Sequence, residues 1–140
     1  MLCINRATLL GNLGGDPQLR KTAADEDMAR FSMATNERWK DDQGAEQKRT
    51  VWHEIVAFGH HARAAGRFLV KGSPAYIEGK IVKREYQDGD GQTRRVVEIR
   101  VSGRDGKIVA VGAAAADQAA DPEEVEAGRD AEPEAAEASA

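Results

Sequence analysis

The chain has 140 residues, with 20 lysines and arginines against 24 aspartates and glutamates, so its formal net charge is −4. This length suits one domain with some chain left over, and it excludes barrel enzymes and doubly wound dehydrogenases, which need roughly 200 residues or more. No long apolar run or signal-like segment is present, so we expect no contact with a membrane. The single cysteine, Cys3, cannot form an internal disulfide, which fits a reducing cytoplasm.

The charge is distributed unevenly along the chain. Residues 113–140 contain nine acidic side chains and one arginine, a net charge of −8, whereas residues 1–112 carry +4 and every aromatic side chain. The acidic segment has too little apolar surface to offset the entropy of ordering its backbone. We therefore predict a folded domain over residues 1–112 and a disordered, Ala/Glu-rich acidic tail over residues 113–140.

Within the folded part, apolar residues mostly alternate with polar ones, which is typical of half-buried β-strands. The predicted strands are, in chain order, residues 4–13, 29–33, 50–58, 75–84 and 97–101. In the last of these, Val97, Ile99 and Val101 are expected to point inward, and Glu98 and Arg100 outward.

Residues 60–70 break this alternation and have apolar residues at helical spacing. The apolar positions of this predicted short helix are Ala62, Ala65, Phe68 and Leu69. Three strands, a helix and two more strands are the order of a five-stranded OB-type barrel, although strand order alone also fits other small barrels. The sequence therefore predicts an all-β fold, a five-stranded OB-fold barrel with one short α-helix.

Two aromatic rings share one face of the third predicted strand. Strict alternation places Trp52 and Phe58 on that face, and Ile55 and Ala57 on the more aliphatic face that suits the core. For any one ring taken alone, packing in the core is the commoner role.

Two further rings, Trp39 and Tyr86, lie among charged residues at the mouths of two long loops. Aromatic side chains interleaved with lysine and arginine on a sheet surface provide stacking platforms beside a positive track, the chemistry that single-stranded nucleic acid requires. The candidates for phosphate contact are Lys40, Lys48, Arg49, Lys71, Lys83, Arg84, Arg94 and Arg95. Acidic residues at the loop tips weaken this positive field, and solvated surface charge is the ordinary alternative.

Four blocks of the sequence carry a resemblance that is more specific than any of these patterns. They are residues 11–17 (GNLGGDP), 34–39 (ATNERW), 50–59 (TVWHEIVAFG) and 71–79 (KGSPAYIEG). In this order and spacing the chain resembles the bacterial-type single-stranded DNA-binding protein family from about residue 4 to residue 102. The resemblance implies an OB-fold that assembles as a homotetramer and binds single-stranded DNA without sequence preference in replication, recombination and repair.

The resemblance also assigns roles to individual residues. The base-stacking aromatics of the family fall on Trp39, Trp52 and Phe58, and a fourth ring, usually tryptophan, falls on Tyr86. His53 lies where the family places a residue that supports subunit contacts. In the family an acidic tip that closes on an aromatic residue docks replication and repair enzymes. Residues 134–140 keep the acidity but lack the aromatic anchor, so the resemblance does not extend fully to those partners.

No catalytic centre, metal site or cofactor site is predicted. The glycines near residue 14 are not followed by Gly-Lys-Ser/Thr, and Cys3 and the three histidines have no metal-ligand spacing. Nucleophile–base motifs are absent as well, so we expect a binding protein of the cytoplasm, associated with the nucleoid, rather than an enzyme. Two alternatives stay open: an OB-fold protein-interaction module of a primosome or recombination complex, and an RNA-directed OB protein.

Overall fold

The computed structural model describes residues 1–112, so the predicted acidic tail lies outside the described residues. The elements are, in chain order, β1 (Ala7–Leu13), β2 (Gln18–Lys21), β3 (Asp27–Lys40), β4 (Glu46–Phe58), α1 (His60–Phe68), β5 (Pro74–Gln87), β6 (Thr93–Val101) and β7 (Lys107–Ala110).

Five of the strands close into a barrel. Each pairs with the next along the path β1-β3-β4-β6-β5, and β5 returns to β1. Four of these pairings are antiparallel, and β4 with β6 is parallel, with Glu54 opposite Glu98 and Ala57 opposite Val101. The predicted all-β, five-stranded barrel with one short helix is therefore confirmed, and its five strands are the five that the alternation predicted.

The two strands that were not predicted are both peripheral and four residues long. β2 pairs with β3 and is exposed throughout, and β7 pairs with β5. Four residues are too few for an alternation to stand out from its surroundings, which is why sequence patterning missed both strands.

Alternate residues of the barrel strands fill the core. Fully buried examples from five different strands are Leu13, Met33, Ile55, Ile77 and Val101. The helix packs onto this core through its small side chains Ala62 and Ala65, and Leu69 fills the space just beyond its last residue.

The helix differs from its prediction at its C-terminal end. It stops at Phe68 rather than at residue 70, and Phe68 is 61% exposed although its spacing suggested the buried face. The reversal follows because Leu69 already takes up an extended backbone, with φ −114° and ψ 139°, and enters the core in its place.

Two pairs of strands project beyond the barrel as two-stranded arms. β3 and β4 stay in one unbroken register from Met28–Phe58 to Lys40–Glu46, but β4 meets β6 only from Glu54 onward. Residues 35–40 and 46–53 therefore form a β3–β4 arm. In the same way residues 83–87 and 93–97 pair only with each other and form a β5–β6 arm. The long loops expected here are thus mostly paired strand.

The start of the β5–β6 arm explains an error in the predicted burial of two residues of β6, whose facing follows the predicted alternation. Val97, expected inside, is 43% exposed because no third strand covers the arm. Glu98 lies on the outward side of the strand, as expected, but it is only 1% exposed because the side chains of Arg30 and Arg84 lie against its carboxylate.

Candidate nucleic-acid interface

The outer face of β4 carries Trp52 and Phe58, as the alternation predicted. Ile55 and Ala57 belong to the core, so the side chains between them must point to the other side of the strand. Both rings are half-buried, so neighbouring atoms fix the orientation of each ring while part of its surface stays accessible to solvent.

Trp52 takes its setting from Gly14, at the turn after β1. A methyl group added to Gly14 would lie 2.2 Å from Cζ3 of the indole, far inside van der Waals contact. Glycine therefore allows the ring to lie directly on the backbone of the turn. The indole Nε1 is buried and has no hydrogen-bond partner among residues 1–112.

Phe58 and Tyr86 each have an arginine over one ring face. The guanidinium carbon of Arg100 lies 5.4 Å from the centroid of Phe58, and that of Arg84 lies 5.4 Å from the centroid of Tyr86. Both distances are within the range of a cation–π contact, which holds a ring in place from one side and leaves its other face available.

Tyr86 lies on the same side of the sheet as the two rings of β4. It shares a strand face with Val82, which is opposite Glu98 on β6, and Glu98 is opposite Glu54 on β4. Tyr86 is 44% exposed. Three of the four predicted stacking rings therefore share one continuous surface, which we call the outer face.

A buried carboxylate anchors two arginines of the outer face. Glu98 accepts a hydrogen bond from Nε of Arg84 at 2.5 Å and one from Arg30 at 3.3 Å, and Arg30 also approaches Glu54 at 3.8 Å. Arg84 is thus held between the carboxylate of Glu98 and the ring of Tyr86.

Trp39 is the exception among the four rings. In the unbroken register of the β3–β4 arm it is opposite Gln47, five residues from Trp52, which puts the two tryptophans on opposite faces of the arm. Trp39 is 45% exposed and shares its face with Thr35 and His53. A strand lying on the outer face has to pass the edge of the arm to reach it.

Several of the predicted phosphate-binding cations already have partners in the protein. Arg49 pairs with Glu37 at 3.1 Å, and Arg95 pairs with Glu85 at 3.0 Å. Lys48 and Lys71 also interact with neighbouring groups. Exposed ion pairs of this kind contribute only about 0–1 kcal/mol, so a phosphate can replace the carboxylate at little cost.

The predicted cations are spread over both faces of the arms. Lys40 is exposed at the end of β3. Lys83 and Arg95 lie on the face of the β5–β6 arm opposite to Tyr86, whereas Arg94 is directly opposite Tyr86 and pairs with Asp88 at 2.9 Å. The structure therefore places Arg84 and Arg94 on the same face as Tyr86, and Lys83 and Arg95 on the opposite face.

Both arms end in five-residue loops built around an aspartate. The carboxylate of Asp41 accepts the amide N–H groups of Gln43 and Ala45, and hydrogen bonds from Ala45 and Gln47 hold its pKa below the usual value. The acidic group at this loop tip is therefore a structural element.

The second loop repeats the arrangement. Asp88 accepts the amide N–H groups of Asp90 and Gln92, and the Arg94 side chain together with these amides lowers its pKa. Two of the acidic side chains that weaken the positive field thus shape the ends of the arms.

His53 lies on the inner side of β4, as its position in the alternation predicted. Its Nε2 is 2.9 Å from Oγ1 of Thr35, and burial lowers its pKa below the usual value. The side chain is only partly covered within the chain, so its predicted role at a subunit contact stays a prediction.

Comparison with known proteins accounts for this arrangement. The model of the single-strand binding protein family matches residues 4–108. This chain belongs to the single-strand binding protein family. A solved structure described as the Plasmodium falciparum SSB complex with ssDNA superposes with a TM-score of 0.74 at 27% sequence identity, over 80% of this chain and 98% of that chain. The family predicted from the four sequence blocks is confirmed.

In this family member, sequence reasoning missed two arginines of the outer face. Arg30 and Arg100 lie on the outer face, and neither was among the predicted phosphate contacts. The signal was present, because the alternation of Ala29–Met33 and Val97–Val101 already placed both side chains outward.

Within residues 1–112, this family member has neither a metal-binding cluster nor a helix long enough to span a membrane. No cluster of three or more His, Cys, Asp or Glu side chains within residues 1–112 is arranged to hold a metal ion. Its helix, nine residues long, could not cross a bilayer, and residues 1–112 contain no other helix that could.

Proposed function

We propose that this chain binds single-stranded DNA without sequence preference and protects it during replication, recombination and repair, without catalysing a reaction. The observation that supports this most directly is the outer face, where Trp52, Phe58 and Tyr86 lie together on the side of the sheet opposite the core. Membership of the single-strand binding protein family supports it independently. We expect the protein at the nucleoid, where single-stranded DNA is exposed.

The binding mechanism combines stacking with charge. Every base has a π-face, so rings that stack on bases bind without reading sequence, at roughly 1–3 kcal/mol per base. The arginines over Phe58 and Tyr86 cover one face of each ring, and a base takes the other. The phosphates of the DNA then replace the carboxylates in the surface ion pairs of the arms. This charge contribution makes binding sensitive to salt.

A titration with oligo-dT tests the proposal directly. Binding should quench the tryptophan fluorescence strongly at low salt and weaken as salt rises. Phe58→Ala should weaken binding by roughly 1–3 kcal/mol. Phe68→Ala is the matched control, because Phe68 is an exposed ring with Arg67 5.3 Å from its centroid, but on the helix.

The outcomes separate the candidate functions. Unchanged fluorescence at low salt, or equal losses in Phe58→Ala and Phe68→Ala, would contradict DNA binding on the outer face. Tighter binding of poly-U than of poly-dT would make the chain an RNA-directed protein. Protein partners retained without any affinity for DNA would favour the interaction module.

We also propose that the chain assembles as a homotetramer. Leu10 on β1, Tyr76 on β5 and Val109 on β7 lie side by side across three strands, and Leu10 and Val109 are exposed. An apolar row of this kind on a sheet surface is suited to burial against another copy. His53 is the predicted interface residue. Size exclusion with light scattering measures the subunit count, and a monomer at micromolar concentration would contradict the proposal.

Docking of replication and repair proteins through residues 113–140 is supported by the acidity of that segment alone. Its test is a pull-down with and without those residues. Loss of partners on deletion, with DNA affinity unchanged, would assign docking to the acidic segment.

A further inference from the structure

A positively charged cleft lies beside Phe58, between the N-terminal segment and the barrel wall. It has a volume of about 450 Å³, and its lining includes Cys3 and Arg6 from the segment before β1, Lys80 from β5 and Arg100 from β6. Lys80 and Arg100 are opposite each other in the β5–β6 register. The three cations face one carboxylate, that of Asp105, in the same cleft.

The wall of the cleft formed by the N-terminal segment is fixed in place. The side-chain amide of Asn5 donates to the carbonyl oxygen of Ile81 at 2.9 Å and accepts the Ile81 N–H at 2.9 Å. This pair of hydrogen bonds imitates a strand pairing and ties the segment to β5. Arg6, the next residue, is thereby held close to Lys80.

Arg100 differs from Arg30 and Arg84, which also lie on the outer face. Arg30 and Arg84 are ion-paired with Glu98, whereas Arg100 has no ion pair among residues 1–112 and its Nε is buried without an acceptor. Arg100 also contacts the ring of Phe58. One side chain therefore joins a stacking ring to a cleft with a surplus of positive charge.

We propose that this cleft binds the backbone phosphate that follows the nucleotide stacked on Phe58, through Lys80 and Arg100 with support from Arg6. The proposal rests on the proposed function and extends it, since none of these three residues was among the predicted phosphate contacts. An anionic phosphodiester supplies the negative charge that the cleft lacks and an acceptor for the unpaired arginine. The path of the strand then leaves the arms and turns toward the N-terminal segment.

Cys3 provides a reporter that needs no substitution. It is the only cysteine of the chain, it is exposed, and it lines the cleft. Alkylation of Cys3 by the uncharged reagent N-ethylmaleimide should slow down when the protein is saturated with oligo-dT. Saturation is established separately from the quenching of tryptophan fluorescence.

A charge substitution provides the second measurement. Lys80→Gln leaves the contact between Arg100 and Phe58 in place and removes one cation from the cleft. The slope of log K against log salt should become shallower by about 0.7, which is about fivefold weaker binding at 0.1 M salt for lines that meet at 1 M. Arg67→Gln, on the helix, removes the same charge away from the cleft and should leave the slope unchanged.

The outcomes distinguish this proposal from the function on which it rests. Quenched fluorescence with an unchanged rate of Cys3 alkylation would overturn the cleft and leave DNA binding intact. Equal salt slopes for Lys80→Gln and Arg67→Gln would do the same. No quenching in the wild-type protein would overturn the proposed function, and the cleft proposal with it.

Discussion

Gly14→Ala should weaken the binding of oligo-dT although it adds only one methyl group and removes no ring and no charge. The new Cβ would lie 2.2 Å from Cζ3 and 2.7 Å from Cη2 of Trp52, and 2.7 Å from Oγ of Ser32. Carbon atoms in contact are normally about 3.5–4.0 Å apart, so the indole has to move by roughly 1 Å or more. This displacement moves the indole of Trp52 out of the position in which it can stack on a base.

The size of the effect has an upper limit. Losing one stacking platform costs about 1–3 kcal/mol, or roughly 5- to 150-fold in the dissociation constant. Gly14→Ala should therefore lose no more affinity than Trp52→Ala, which removes the ring altogether. Crowding at a packed position also costs stability, typically about 1–3 kcal/mol, and urea unfolding measures this separately.

The neighbouring residue provides the control. A methyl group added to Gly15 would have no heavy atom within 4 Å, so Gly15→Ala makes the same chemical change without the clash. In oligo-dT titrations, Gly14→Ala should lose affinity and Gly15→Ala should not. The double variant Gly14→Ala/Trp52→Ala should bind oligo-dT as tightly as Trp52→Ala alone. Wild-type affinity in Gly14→Ala, or a further loss in the double variant, would refute the link between Gly14 and the ring.

Three further predictions concern charge. Glu98→Gln should lower the free energy of unfolding by about 1–3 kcal/mol in urea titrations, because Arg30 and Arg84 lose the buried carboxylate that both contact; unchanged stability would mean that the pairs are dispensable. Because burial lowers the pKa of His53, the unfolded chain binds a proton at a higher pH than the folded chain does. The free energy of unfolding should therefore fall as the pH decreases below about 6.5, until the pH reaches the pKa of His53 in the folded chain. His53→Gln should show a shallower fall over that range, and parallel curves would contradict the assignment. Deleting residues 113–140, which carry −8, should preserve or tighten DNA binding, most of all at low salt, and a large loss of affinity would be the contrary result.

The barrel and the outer face of β4 could be predicted because both depend on the alternation of side chains. Core residues such as Ile55 and Ala57 show which way their neighbours Trp52 and Phe58 must point. That rule is local, and it holds wherever a strand has the core on one side. The resemblance of four separate blocks to a known family identified the stacking residues, which alternation alone cannot do.

The predictions failed where the chain leaves the barrel. Val97 continues the alternation but lies in a two-stranded arm, where neither face has a core to enter. Glu98 looks like a surface residue in the sequence, yet Arg30, 68 residues away along the chain, covers it. Whether a face is covered depends on partners that are distant in sequence, and no local pattern contains them.

Three arginines of the outer face, Arg30, Arg84 and Arg100, divide into two kinds by their partners. Arg30 and Arg84 share the carboxylate of Glu98, so their charge is largely balanced and their value lies in holding Tyr86 and the barrel wall in place. Arg100 has no such carboxylate among residues 1–112, so its charge is not balanced within that part of the chain and is available to a ligand. A surface that only had to attract DNA would leave all three unpaired. Balancing two of them sets the rings rigidly, so the bases meet a preorganised platform, and the unbalanced charge is concentrated at the Phe58 end, where the strand would enter the cleft.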